Sequence, residues 1–214
     1  ALEMANKFYE DGPFAACQPC FIREDETTAA PNDPLFSAQW ALKNTGQNQG
    51  TAGIDINYLP AREVTQGSSD IIVAVLDHGT QLDHPDLNVS SKSYDTETGR
   101  SPSQIWGNHG TACSGIISAK TNNNLGVAGI APNCPVMSIS NQLMGTSDAP
   151  QKRADGFNWA WRNGASVISN SWRSSTFSEL LEDAIQSAMT NGRNGLGCVV
   201  TFSAGNYDSN TVGY

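Results

Sequence analysis

The 214-residue chain is short of positive charge: 12 Lys and Arg stand against 21 Asp and Glu, a formal net charge of −9. The cations form no cluster, and a phosphate backbone needs one, so no nucleic-acid partner is expected. Long apolar runs are missing too. None approaches the ~18 residues of a membrane span, and no membrane partner is expected. Histidine is scarce, three in all, and no His-Glu-x-x-His is present. A metal-dependent hydrolase built on Asp77, His84 and His109 therefore lacks its usual ligand pattern. The cysteines number five, and an odd count argues against a complete disulfide framework. Cys17 and Cys20 form a Cys-x-x-Cys with no second pair or paired histidine to complete a zinc site. Cys113, Cys134 and Cys198 sit in apolar contexts and read as small core residues. An initiator Met and a signal peptide are also absent, so the chain reads as a piece cut at both ends, and the missing address says nothing about compartment.

What is present fits one medium-sized globular domain with 38% hydrophobic residues. In "ALEMANKFYEDGP", Leu2, Met4, Ala5 and Phe8 fall close to one helical face that stops at Gly12 and Pro13. Residues 23–34, "REDETTAAPNDP", are polar and proline-punctuated without periodicity, which places a boundary near Asn32. Beyond it, continuous apolar runs at 70–77, 135–140, 166–172 and 198–205 predict buried strands. Helical patterns separate them, "RADGFNWAWRNG" and "TFSELLEDAIQSAMTNG". The second has Thr176 and Glu179 in capping-box spacing and Gly192 as its stop. This alternation predicts a three-layer α/β/α domain with a mostly parallel sheet.

In such sheets reactive groups collect at the carboxyl ends of strands. Asp77 ends the first run; as a residue type it suits a metal ligand, a turn cap, or the acid that orients a histidine. His109 opens the small-residue helical run "HGTACSGIIS". It suits a helix cap, or a general base whose second ring nitrogen is held by a carboxylate. Asn206 follows a strand and a Gly; it suits a turn, or an amide donor for a developing oxyanion.

Taken in order, "VAVLDHGTQLDHPDL", "NHGTACSG" and "VVTFSAGN", with "GVAGIAP" and "ISNSW" among them, resemble the subtilisin-like serine proteases (subtilases, peptidase family S8) of the secreted bacterial type. The resemblance covers roughly residues 34–214. It implies a subtilisin-like fold and a serine endopeptidase, with Asp77 the orienting acid, His109 the general base and Asn206 the oxyanion donor. Ser171, Trp172 and Arg173, with Ala204 and Gly205, would pair with extended substrate. Two positions depart from the family pattern: His78 stands where a small or acidic residue is usual, and Arg173 where Gly is usual. The family order of Asp, His, then Ser excludes Ser147 of "GTSDAP" as nucleophile, since it precedes Asn206; it reads as a loop, and the nucleophile is expected past the end of the chain.

The N-terminal stretch resembles the tail of the propeptide of secreted subtilases. Residues 1–31 are accordingly expected to be propeptide tail and linker, with the maturation cut within 22–33, and 32–214 the N-terminal two-thirds of the catalytic domain. Hard oxygen ligands from three segments suit a structural Ca²⁺: Asp55, Asp86, the Asn123 amide, and carbonyls of Lys120, Leu125 and Val127 in the Asn-rich loop. In the family these places resemble a high-affinity calcium site. Expected partners are protein or peptide substrates and the chain's own propeptide, and the expected location is secreted or cell-envelope. The rival reading is a non-catalytic subtilase relative acting as a binding or regulatory module, distinguished by the residue at the nucleophile position.

Overall fold

The computed structural model describes residues 29–174 and 177–206, with Lys7, Glu10 and Asp11 besides. Apart from those three, the predicted N-terminal helix, the Cys17–Cys20 pair, the 22–28 part of the maturation stretch and Thr176 lie outside the described residues.

Five strands form one sheet: β1 (Ile72–Asp77), β2 (Tyr94–Asp95), β3 (Val136–Ser140), β4 (Ala165–Asn170) and β5 (Val199–Phe202). Their order is β2-β3-β1-β4-β5, and every pairing is parallel. Helices accompany them between residues 29 and 206: α1 (Tyr58–Val64), α2 (His109–Ser118), α3 (Ala149–Arg162) and α4 (Glu179–Gly195). β1 is buried from Val73 onward, as a strand covered on both faces must be, and its composition is accordingly apolar up to Asp77. Ala74 and Leu76 join Met137, Ile139 and Ile168 in a core closed by Phe157 of α3 and Ala184 and Ala188 of α4. The alternate residues of β1 and β3 face the layer that holds α2, where the Ser138 hydroxyl accepts from Thr80 N–H at 2.9 Å.

The four predicted strands are all found, with bounds shifted by one to three residues at one or both ends, and both predicted helices exist. α3 begins earlier than its apolar pattern, at Ala149 with Pro150 in its first turn; Pro there forfeits only a hydrogen bond the helix start lacks anyway. The N-cap of α4 is Ser178, whose hydroxyl accepts from Leu181 N–H at 3.4 Å, two residues later than the predicted Thr176 box. Gly192 leaves helical geometry (φ −58°, ψ 158°) where the stop was predicted. β2 and α1 went unpredicted, being too short to display a period.

The chain leaves β1 toward α2 on one face, and leaves β3 and β4 toward α3 and α4 on the other. β3 and β4 flank β1 on opposite sides. The carboxyl end of β1 is therefore the point where the winding reverses, and crevices in open α/β sheets form at such points. Asp77 is the residue placed there.

Candidate active site

Two glycines let the end of β1 meet the start of α2. Gly79 adopts φ +92°, and a Cβ on it would lie 2.0 Å from Gln104 O. A Cβ on Gly110 would lie 2.5 Å from Gly79 O. The backbones touch directly, and His109 is brought over Asp77.

Asp77 is fully buried. His109 Nδ1 lies 2.8 Å from its Oδ1 and 2.9 Å from its Oδ2, and the backbone N–H of His78 donates to Oδ1 at 2.7 Å. An ionised carboxylate only accepts, so Nδ1 carries the ring proton and Nε2 is left as the basic nitrogen. The His109 side chain is 51% exposed, which opens Nε2 to a solute. Of the three open roles for Asp77, this contact is the one that an acid orienting a histidine requires.

His78, the departure beside Asp77, stands edge-on to His109 with ring centroids 6.1 Å apart. Cys113, expected in the core, is half-buried, with Sγ 3.8 Å from His109 Nδ1. Its place one helical turn after His109 puts both on one face of α2. Burial pushes the Cys113 thiol up, the Ser171 hydroxyl bonded to it works the other way, and the Asp77 carboxylate adds to the rise. Asp77, His109 and Cys113 are the one group of three His, Cys, Asp or Glu ligand atoms within 4.8 Å of one another among the described residues. His84 is not part of it: its Nδ1 accepts from Asp86 N–H at 3.2 Å, so the trio of a metal hydrolase is not assembled.

The Cys113–Ser171 contact also places the exit of β4 beside the pair. Next along, Trp172 is 8% exposed. Its Nε1 donates to Leu76 O at 2.8 Å, Arg153 stacks on its ring at 4.8 Å, and Phe202 meets it edge-on at 5.3 Å. Arg173 is exposed. Ala204, Gly205 and Asn206 follow β5 and are exposed, with Gly205 at φ +91°. Because all strands are parallel, these residues lie at the same carboxyl end of the sheet as Asp77. Ser147 sits exposed in the turn before α3.

The proposed ion ligands divide into two places. Asp86 is 2% exposed; Asn123 Nδ2 donates to its Oδ1 at 2.7 Å and Val127 N–H to its Oδ2 at 3.3 Å. Lys120 N–H donates to the Asp86 carbonyl at 2.7 Å. Leu125 N–H donates to the Asn123 amide oxygen at 2.9 Å. Asp55 closes a separate turn, with its two oxygens accepting from Asn44 N–H and Asn57 N–H at 2.8 Å each. Those backbone bonds, Asn44 first, hold its carboxyl below the usual carboxylate range. Sequence reasoning missed Asp33, taken as linker. It is 3% exposed and accepts from Asn122 N–H at 3.0 Å and Asn123 N–H at 3.2 Å. Among the described residues neither Asp33 nor Asp86 pairs with a cationic side chain. Two buried carboxylates on one Asn-rich loop without a counter-ion fit a hard, oxygen-seeking cation.

Comparison with known proteins bears on this arrangement. Residues 68–214 match the model of the subtilase family, peptidase S8. A calcium-dependent protease of a Nostoc species is 31% identical over 95% of this chain and 32% of its own length. A thermophilic serine proteinase of a Bacillus species is 35% identical over 86% of this chain and 45% of its own. The chain thus spans less than half the length of these curated relatives. Among solved structures, a protease of Pseudoalteromonas arctica superposes with a TM-score of 0.66 at 30% identity, over 83% of this chain and 60% of that one.

Proposed function

This chain belongs to the subtilase family, and on that premise we propose that it is the Asp- and His-bearing part of a serine endopeptidase. In this reading residues 1–31 are propeptide tail and linker and 32–214 belong to the catalytic domain. The observation that carries it is the buried Asp77 carboxylate held against Nδ1 of a half-exposed His109 at 2.8 Å.

His109 Nε2 takes the proton of a serine hydroxyl supplied by the remainder of the full-length protein, as that oxygen attacks a peptide carbonyl. Asp77 fixes the tautomer and stabilises the imidazolium that forms. The tetrahedral oxyanion accepts from the Asn206 amide. His109 then returns the proton to the leaving amine, and the acyl-enzyme is hydrolysed by water activated in the same way. Ser171, Trp172 and Arg173 on one side and Ala204 and Gly205 on the other pair with an extended substrate. Substrates are proteins or peptides, and the chain's own propeptide is a partner. The location is secreted or cell-envelope.

Asp86, Asp33, the Asn123 amide and carbonyls of Lys120, Leu125 and Val127 would hold a structural Ca²⁺; Asp55, occupied in its own turn, contributes indirectly. Bound calcium supplies cross-linking between segments distant in sequence, and no chemistry. The burial of Asp33 and Asp86 with no cationic side chain paired to either among the described residues supports this assignment.

The test is labelling of the full-length protein by a fluorophosphonate probe. Labelling is expected, and His109→Ala is expected to abolish it. Asp77→Asn is expected to lower kcat by about 10⁴ with little change in KM. Absence of labelling in the unaltered protein would refute the peptidase reading in favour of a non-catalytic relative.

A further inference from the structure

Three residues before His109 lies a side chain that the proposed mechanism does not use. Trp106 is 41% exposed, and Ile105 beside it 54%. An exposed indole ordinarily moves and spends its N–H on water. This one is fixed at both ends. Its Nε1 donates to Asp95 Oδ1 at 2.9 Å, and its backbone N–H donates to His78 O at 2.7 Å. Gly107 follows so close to the His78 ring that a Cβ there would lie 2.9 Å from Nδ1. Since the His78 ring stands against His109, the loop that carries the indole packs against the ring next to His109.

Asp95, at the end of β2, is fully buried. Its other oxygen accepts from Thr98 N–H and Thr98 Oγ1 at 3.1 and 2.7 Å. Ser140 Oγ donates to the same oxygen as the indole at 2.9 Å, while itself accepting from Gln104 N–H at 3.0 Å. A buried carboxylate costs several kcal/mol unless its acceptor sites are filled, and here a tryptophan indole fills one. The loop is thereby tied to the ends of β2, β3 and β1. A rigid aromatic surface offered to solvent loses little conformational entropy when an apolar group covers it, which is the property of a binding wall.

We propose that Trp106, held by Asp95, is a specificity-determining residue: it forms the apolar wall of a subsite on the His109 side of the scissile bond and selects peptides with a large apolar side chain there. The inference rests on the peptidase reading of Asp77 and His109. Trp106 is the binding surface, and Asp95 is a positioning residue that acts through it.

The experiment is a peptide library cleaved by the full-length protein, with each position flanking the scissile bond varied. The unaltered protein should prefer Leu or Phe over Gly at one such position. Trp106→Ala should lower that preference ratio about tenfold, the scale expected from uncovering part of one apolar side chain, and Trp106→Phe should restore most of it. A preference retained in Trp106→Ala, or loss of cleavage in equal proportion for apolar and glycine substrates, would overturn the proposal. Anisotropy of the same labelled peptides on the His109→Ala protein gives an answer without turnover. If the unaltered protein cleaves none of the peptides while binding selectivity in that assay still depends on Trp106, the peptidase reading falls and the apolar binding surface stands.

Discussion

One methyl group added at Gly110 should separate the fold from its chemistry. A Cβ there would lie 2.5 Å from Gly79 O and 3.0 Å from Gly79 C and N, all backbone atoms. Ordinary contact begins at 3.4 Å, so the start of α2 must withdraw from β1 by about 0.9 Å (3.4 − 2.5). Overpacking against backbone costs about 1–3 kcal/mol. The neighbouring residue is His109, whose bond to Asp77 is 2.8 Å long, so a displacement of that size breaks it unless the ring follows. A misplacement of about 1 Å at a catalytic group is worth about 10²-fold in rate. Gly115, in the same helix, supplies the control. A Cβ there meets only Val127 Cγ2 at 3.9 Å, and Gly→Ala inside a helix gains about 0.8–1 kcal/mol. Denaturant unfolding of the full-length protein at unchanged m-value reads the stabilities, and single-turnover kinetics reads the rate. Gly110→Ala and Gly115→Ala should move the midpoint in opposite directions. Gly110→Ala within 0.5 kcal/mol of the unaltered protein, a margin typical of an uninvolved site, would refute the reasoning.

Three further outcomes are expected. Removing calcium with a chelator should lower the melting temperature of the full-length protein, since binding to the folded state alone is worth about 2.7 kcal/mol at a hundredfold excess over Kd. Asp86→Ala should remove most of that sensitivity, and a melting curve indifferent to chelator would count against the site. Burial works to raise the Asp95 carboxyl, but hydrogen bonds from Thr98, Trp106 and Ser140 outweigh it and hold the group below the usual carboxylate range. A depressed folded value means that its stabilisation is present above the ordinary value, about 3.9, and lost as pH falls through the folded one. Acid titration of Asp95→Asn should therefore show a shallower loss of stability below about pH 4, and an unchanged acid limb would sever Asp95 from it. Ser147→Ala should leave fluorophosphonate labelling of the full-length protein intact; loss of labelling would move the nucleophile into the turn before α3.

The sequence made the sheet legible because its strands are buried on both faces, so each appears as an unbroken apolar run between turns. It made Asp77 and His109 legible because each lies at an element boundary, where position limits what a side chain can reach. Asp33 was hidden: "PNDP" has the composition of a linker, and only the Asn122 and Asn123 amides reveal that its carboxylate is buried. Asp55 and Asp86 are both acids near turns, and no local pattern distinguishes one saturated by its own backbone from one facing a loop some forty residues away. Cys113 looked like core because its neighbours are small, although α2 turns it toward His109. Trp106 carried no signal at all, since its significance depends on Asp95, with which it shares no periodicity.

The parallel sheet has a consequence for how the chain is made. Val73 of β1 pairs with Val136 on one side and Val167 on the other, so its first partner strand is synthesised 63 residues later (136 − 73). At roughly 5–20 residues per second, β1 waits about 3–13 s on the ribosome before any strand of the sheet can bond to it. Throughout that interval an apolar Ile-Val-Ala-Val-Leu run has two unpaired edges, the kind of segment that joins other chains most readily. The topology that gathers reactive groups at the end of β1 thus makes β1 the element most in need of shelter during synthesis. A nascent chain stalled before Val136 should be markedly more prone to aggregate than one stalled after Asn170.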